Sequence, residues 1–220
     1  MEPISRNDKR LWAKFLYIYN DWFNIFFRFI FGGLEDTRII VRDNLELDKY
    51  LVSKGSPTQT AWCLNISRGI KLVKYFDRSS RFEISSMRFI DIGCGSGKVL
   101  YGIEKLNYKK IYGIEINKFY FETCKKNFIN KKNIEIINQD FFDCNISDIK
   151  FFYIFSPFVS DEMYEKLFNI LQKLNSNIII ICFDTDKLSQ KLMLSKDYEC
   201  IFQKEYLQKF TKTQIYKKIN

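Results

Sequence analysis

The chain has 220 residues, of which 46% are hydrophobic and 28% charged, with a formal net charge of +9. That balance excludes a disordered chain, and the length suits one globular domain with an appended segment. The absence of histidine rules out Ser-His-Asp and Cys-His nucleophile systems and all but rules out a Cys/His zinc site, so the expectation is no metal.

Residues 10–31 read as a strongly aromatic helix closed by Gly32-Gly33, a plausible C-cap. At 100° per residue Arg10, Lys14, Asp21 and Arg28 share one narrow stripe, and the rest of the circumference is apolar. Charges inside the run argue against a spanning helix. Three readings stay open: a cap on the following domain, a homodimer contact, or a helix lying in a membrane interface. Residues 34–56 form a mixed, charged lobe, and Pro57-Thr58 opens a helix running to about Asp77, with Thr58 as N-cap.

From 88 onward strands and helices alternate, the pattern of a parallel α/β sheet. Strands are expected at 88–92, 110–115, 133–138, 150–155 and 177–183, and helices at 97–106, 117–129, 160–175 and 186–195. Residues 199–220 alternate apolar and polar around Tyr206 and Ile215, which predicts a terminal two-stranded hairpin. The cysteines, at 63, 94, 124, 144, 182 and 200, make no C-x-x-C pair and are expected to be reduced. The charged start lacks signal-peptide character, so a cytoplasmic location is expected.

The first strand ends in Asp91-Ile92-Gly93-Cys94-Gly95-Ser96-Gly97, followed by Lys98. Glycines at a strand–helix junction let a ligand approach the backbone closely and permit dihedrals closed to other residues. A dinucleotide fingerprint, G-x-G-x-x-G, would need glycine at 98. The second strand ends in Glu115, 24 positions after Asp91, with Ile116 next. A carboxylate there suits two ribose hydroxyls, and its plainer role is to cap the following helix. The third strand runs into Asp140-Phe141. Asp140 can accept from an adenine amine or cap a turn, while Phe141 or Ile116 packs on the ring face. The fourth strand ends Ser156-Pro157-Phe158.

The D-x-G-x-G-x-G turn resembles motif I of the class I S-adenosylmethionine (SAM)-dependent methyltransferases. With Glu115, Asp140 and Ser156-Pro157-Phe158 following in order, the resemblance covers roughly residues 85–195. It implies a seven-stranded, mostly parallel Rossmann-like sheet with a C-terminal hairpin, residues 58–220 forming the methyltransferase domain and 1–57 an N-terminal helical extension. It also implies that SAM is the cofactor, held by Asp91, Gly93, Cys94, Gly95, Gly97, Glu115, Ile116, Asp140 and Phe141. Ser156-Pro157-Phe158 takes the place of motif IV beside the transferred methyl group. It is one proline shorter than the D/N/S-P-P-Y/F/W of amino-group methyltransferases and is similar to the N-P-F version of bacterial methyltransferases of unassigned substrate. Asp143, Tyr153, Asp161 and Glu162 are base candidates by position only. The acceptor reading is an N or O atom of a small molecule, glycan precursor or protein lysine. The alternatives are an RNA acceptor, less favoured because the lysines are spread thinly, and a non-catalytic binding protein of the same fold.

Overall fold

The computed structural model describes residues 86–220, apart from 107, 156, 159, 184 and 207–210. The expected aromatic helix at 10–31, the lobe at 34–56 and the helix from 58 lie outside the described residues, as does Ser156.

Seven strands form one sheet: β1 (Arg88–Ile92), β2 (Lys110–Ile114), β3 (Ile134–Ile137), β4 (Phe151–Phe155), β5 (Ile179–Phe183), β6 (Tyr198–Tyr206) and β7 (Thr211–Lys218). Their order is β3-β2-β1-β4-β5-β7-β6. The first five pair in parallel, and β7 runs antiparallel between β5 and β6. The helices are α1 (Lys98–Ile103), α2 (Lys118–Asn127), α3 (Asp161–Lys173) and α4 (Asp186–Leu194). The expected helix over 97–106 is six α-helical residues followed by a 3-10 turn, Glu104–Leu106. A second 3-10 turn, Phe141–Asp143, was not foreseen.

The strands read as continuous apolar runs because both faces of the sheet are covered. All five residues of β5, Ile-Ile-Ile-Cys-Phe, are buried. Side-chain alternation sorts them into two layers. Phe89, Phe151, Tyr153, Ile179, Ile181 and Phe183 pack with Leu100, Ile103, Cys124 and Phe128 on the α1–α2 side. Ile90, Ile92, Phe152, Ile154, Ile180 and Cys182 pack with Leu167, Leu171, Leu188 and Leu192 on the α3–α4 side. In the first layer the Phe89 ring stacks on Phe151 at 5.6 Å.

The C-terminal strand is tied down by a buried cation. Lys218, 4% exposed, donates from Nζ to the carbonyls of Leu171, Gln172 and Leu174 at the end of α3. Carbonyls of the last turn lack the usual helical partner four residues on, although that of Leu171 also accepts from Leu174 N–H at 3.3 Å, and a cation suits the negative end of the helix dipole. Burial pulls the Lys218 pKa below the usual lysine value, opposed by the charge of Asp197. We expect Lys218→Met to lower unfolding free energy by about 2–3 kcal/mol, the scale of hydrogen bonds to a charged group. Urea denaturation reads this directly, and a midpoint equal to wild type would remove the lysine from the account.

Candidate active site

The strand order reverses between β1 and β4, and in such sheets ligands lie beyond the C-terminal strand ends at that switch point. Asp91, at the end of β1, pairs in register with Gly113 on one side and Tyr153 on the other. The chain then turns back on itself. Gly93 and Cys94 donate their N–H groups to the Ile114 carbonyl at 2.9 and 3.0 Å, which pins the turn to the end of β2. Gly93, Gly95 and Gly97 have φ of 76°, 54° and 88°, a region that L-residues enter at a cost.

The three glycines face different surroundings. Among the described residues, a Cβ on Gly95 would meet nothing within 4 Å, so this backbone is open on their side. A Cβ on Gly93 would lie 3.5 Å from Pro157 Cβ, which brings motif IV against the turn. Gly97 turns the other way: its Cβ would fall 2.4 Å from Phe128 Cε2 and 2.7 Å from Cys124 Sγ. Its smallness serves the packing of α2 on the turn. The Cys94 side chain is likewise buried, its Sγ 4.0 Å from that of Cys124, so only its backbone belongs to the turn's surface.

Glu115 is not the surface cap of the plainer expectation. It is 6% exposed, and Oε2 accepts from Gly95 N–H at 2.9 Å while Oε1 accepts from Asn117 N–H at 2.8 Å. The carboxylate thus joins the end of β2 to the glycine turn. Capping of α2 falls to Asn117, whose Oδ1 accepts from Phe119 and Tyr120 N–H. Asn138 holds the same corner from β3, donating to the carbonyls of Glu115 at 2.8 Å and Ile116 at 3.1 Å. Asn127 reaches from the end of α2 to the Ser96 carbonyl at 3.0 Å. These three asparagines were missed by sequence reading; the available signal was an amide just past a strand end or at a helix end.

Around this corner Ile116 is 38% exposed while Phe141 is 4% exposed and packs in the α3–α4 core layer. Of the two residues expected against a ring face, Ile116 has the accessible side chain and Phe141 the buried one. Asp140 caps the 3-10 turn, with Oδ1 accepting from Phe142 N–H at 3.0 Å. Tyr153 is corrected as a base candidate: it is 1% exposed, packed 5.3 Å from the Phe183 ring. Asp143, Asp161 and Glu162 are exposed, and Asp161 pairs with Lys187. Phe158 is half-buried, its ring stacked 5.1 Å from Phe142.

Two acids are buried side by side here. Burial, and then the charge of Glu115, push the Asp91 pKa from 3.8 up to about 8. Burial also raises that of Glu115, opposed by backbone hydrogen bonds from Asn117, Gly95 and Ile116. The folded, ligand-free domain therefore holds a proton on Asp91 between pH about 4 and about 8, where the unfolded chain has lost it. Stability falls as pH rises through that window and levels off above it. We expect the urea midpoint to decline from pH 5 to pH 8 and Asp91→Asn to flatten the decline; a slope unchanged by the substitution would assign it to other groups.

The family model described as a methyltransferase domain matches residues 84–219. The chain belongs to the methyltransferase-domain family. A relative among curated proteins is "Ribosomal RNA small subunit methyltransferase A" of Persephonella marina, 33% identical over 85 residues, which is 38% of this chain and 30% of that protein. The chain thus matches less than a third of that relative's length. Two solved structures share the fold. An RNA methyltransferase from Salinibacter ruber, in complex with S-adenosylhomocysteine, aligns with TM-score 0.54 and 15% identity over 73% of this chain and 93% of that one. An rRNA methylase from Streptococcus thermophilus aligns with TM-score 0.52 and 12% identity over 62% of this chain and 89% of that one. SAM is the cofactor of such a domain, and the backbone at Gly95, whose N–H is held by a buried carboxylate, fits it.

Proposed function

We propose that this methyltransferase domain transfers the SAM methyl group to a nitrogen of RNA. The observation that carries the cofactor half is the open space at Gly95, whose N–H is held by Glu115. Each carboxylate oxygen of Glu115 has a second lone pair, so two ribose hydroxyls can be accepted without releasing Gly95 or Asn117. Asp140 uses Oδ1 for its turn, leaving Oδ2 for an adenine amine above Ile116. Asp91 stands behind the turn, on the side of the methionine amine. A cationic partner would draw off its proton, so affinity for SAM rises with pH towards 8.

Support for RNA comes from the 33% identity with a ribosomal RNA methyltransferase and from the half-buried aromatic ring of Phe158 beside the turn. This reverses the order of the acceptors expected from charge spacing. Thinly spread lysines weigh less than a relative with a stated substrate, and a net charge of +9 suits a polyanion. An RNA acceptor also agrees with a cytoplasmic location.

SAM supplies an already electrophilic methyl group, so transfer to a neutral amine needs no histidine. The protein's contribution is geometric: the turn fixes one reactant, and Pro157-Phe158, packed against Gly93, borders the place of the other. Alignment of this kind is worth about 7–11 kcal/mol of barrier. The test uses tritiated-methyl SAM with RNA, protein and small-molecule fractions from cells lacking the gene. Label should enter the RNA and become soluble on ribonuclease treatment. Label confined to protein or small molecules would overturn the RNA reading.

A further inference from the structure

The loop that follows β3 and the loop that follows β4 meet through aromatic rings. Phe142 lies on the 3-10 turn Phe141–Asp143, and its N–H donates to Asp140 Oδ1 at 3.0 Å. Its ring is nearly parallel to that of Phe158, with centroids 5.1 Å apart and planes 20° apart. Lys166 on α3 places Nζ 4.2 Å from the Phe142 ring centroid, and Phe141 meets Phe142 edge-on at 5.6 Å. Among the described residues the other ring on Phe158 is Tyr164, edge-on at 5.6 Å. Tyr164 is 3% exposed and belongs to the core, so it forms a fixed wall. Phe142 is half-buried on a single short turn, so it is the neighbour of Phe158 that can shift.

One carboxylate stands at the head of this column. Asp140 holds the Phe142 backbone with one oxygen and, on the cofactor reading above, offers the other to adenine. Phe158 at the far end adjoins Pro157, which packs against the Gly93 turn. We infer that Phe142 is a positioning residue that couples the adenosine end of the cofactor pocket to the motif IV loop. It does so by setting the plane of the Phe158 ring. Adenine bound to Asp140 fixes the rotation of that carboxylate, hence the turn, the Phe142 ring and the ring stacked on it. Such coupling is reciprocal, so an acceptor that orders Phe158 also tightens the adenosine site. The inference rests on the cofactor reading but not on the identity of the acceptor.

The test labels the full chain with 4-fluorophenylalanine at position 158 and follows its fluorine resonance as adenosine is added, with binding measured separately by calorimetry. Movement caused by direct contact with the label would persist without the Phe142 ring, so the Phe142 variants separate contact from coupling. In the wild-type background the resonance should move to a new position at saturation. Phe142→Ala should bind adenosine and show no movement, and Phe142→Tyr, which keeps the planar face, should restore it. Phe142→Leu keeps the bulk of the side chain without a ring, and serves as a second silent variant should alanine unfold the turn. Adenosine bound with no movement in wild type, or equal movement in the alanine or leucine variant, overturns the coupling alone. Failure of adenosine and of SAM to bind the wild type overturns the cofactor reading, and the coupling with it.

Discussion

Gly97→Ala will destabilise the domain by about 2–5 kcal/mol. The residue sits at φ +88°, where a side chain costs ~1–2 kcal/mol against the following carbonyl. Its new methyl group would also lie 2.4 Å from the Phe128 ring and 2.7 Å from Cys124 Sγ. Both neighbours are buried, at 4% and 0% exposure, so they yield only by disturbing the core, and overpacking of this kind costs ~1–3 kcal/mol. Gly95 makes the opposite case. Among the described residues a Cβ there meets no atom within 4 Å, so Gly95→Val adds backbone strain without a close contact at Cβ, and on the proposed reading its bulk obstructs the cofactor. Urea denaturation and SAM calorimetry on both variants separate the two roles: Gly97→Ala should lose mainly stability, Gly95→Val mainly affinity. A Gly97→Ala midpoint equal to wild type would show that the turn is looser than described.

The second large effect is at Glu115. Removing its carboxylate in Glu115→Ala strands the N–H groups of Gly95 and Asn117 at a buried corner. Each unsatisfied group costs ~1–3 kcal/mol, so a loss of about 2–5 kcal/mol is expected. Glu115→Gln keeps the shape but sets an amide donor against one of those N–H groups. It should fold, and its SAM affinity should fall by about tenfold or more, the equivalent of losing one charge-assisted hydrogen bond. A dissociation constant unchanged in the glutamine variant would remove Glu115 from the ribose and leave it a purely structural tie.

These two positions also show what the sequence could and could not tell. The alternation of apolar runs located every strand of the described sheet, because buried parallel strands and amphipathic helices differ in period. Asp91, Glu115 and Asp140 were placed at neighbouring strand ends because each lies at or just past the end of an apolar run. Which way a glycine faces is not written in its spacing. Gly95 and Gly97 look alike in D-x-G-x-G-x-G, yet one has no described neighbour at its Cβ position and the other admits Phe128 from a helix thirty residues on. Phe141 and Ile116 were equally plausible ring contacts until the 3-10 turn sent Phe141 into the core. Asn117, Asn127 and Asn138 stayed invisible because an amide satisfying a backbone group leaves no periodic trace in a chain rich in asparagine. The β6 irregularity between Cys200 and Phe202 was hidden for a similar reason, as strict alternation does not reveal one extra residue.

SAM, and not a dinucleotide, is the ligand expected on the glycine turn with Glu115 behind it. Calorimetric titration of the full chain with SAM and, separately, with NAD tests it most directly. The account predicts one SAM bound per chain, no heat from NAD, and loss of SAM binding in Gly95→Val. Binding of NAD with none of SAM, or a Gly95→Val variant that binds SAM as wild type does, would contradict it.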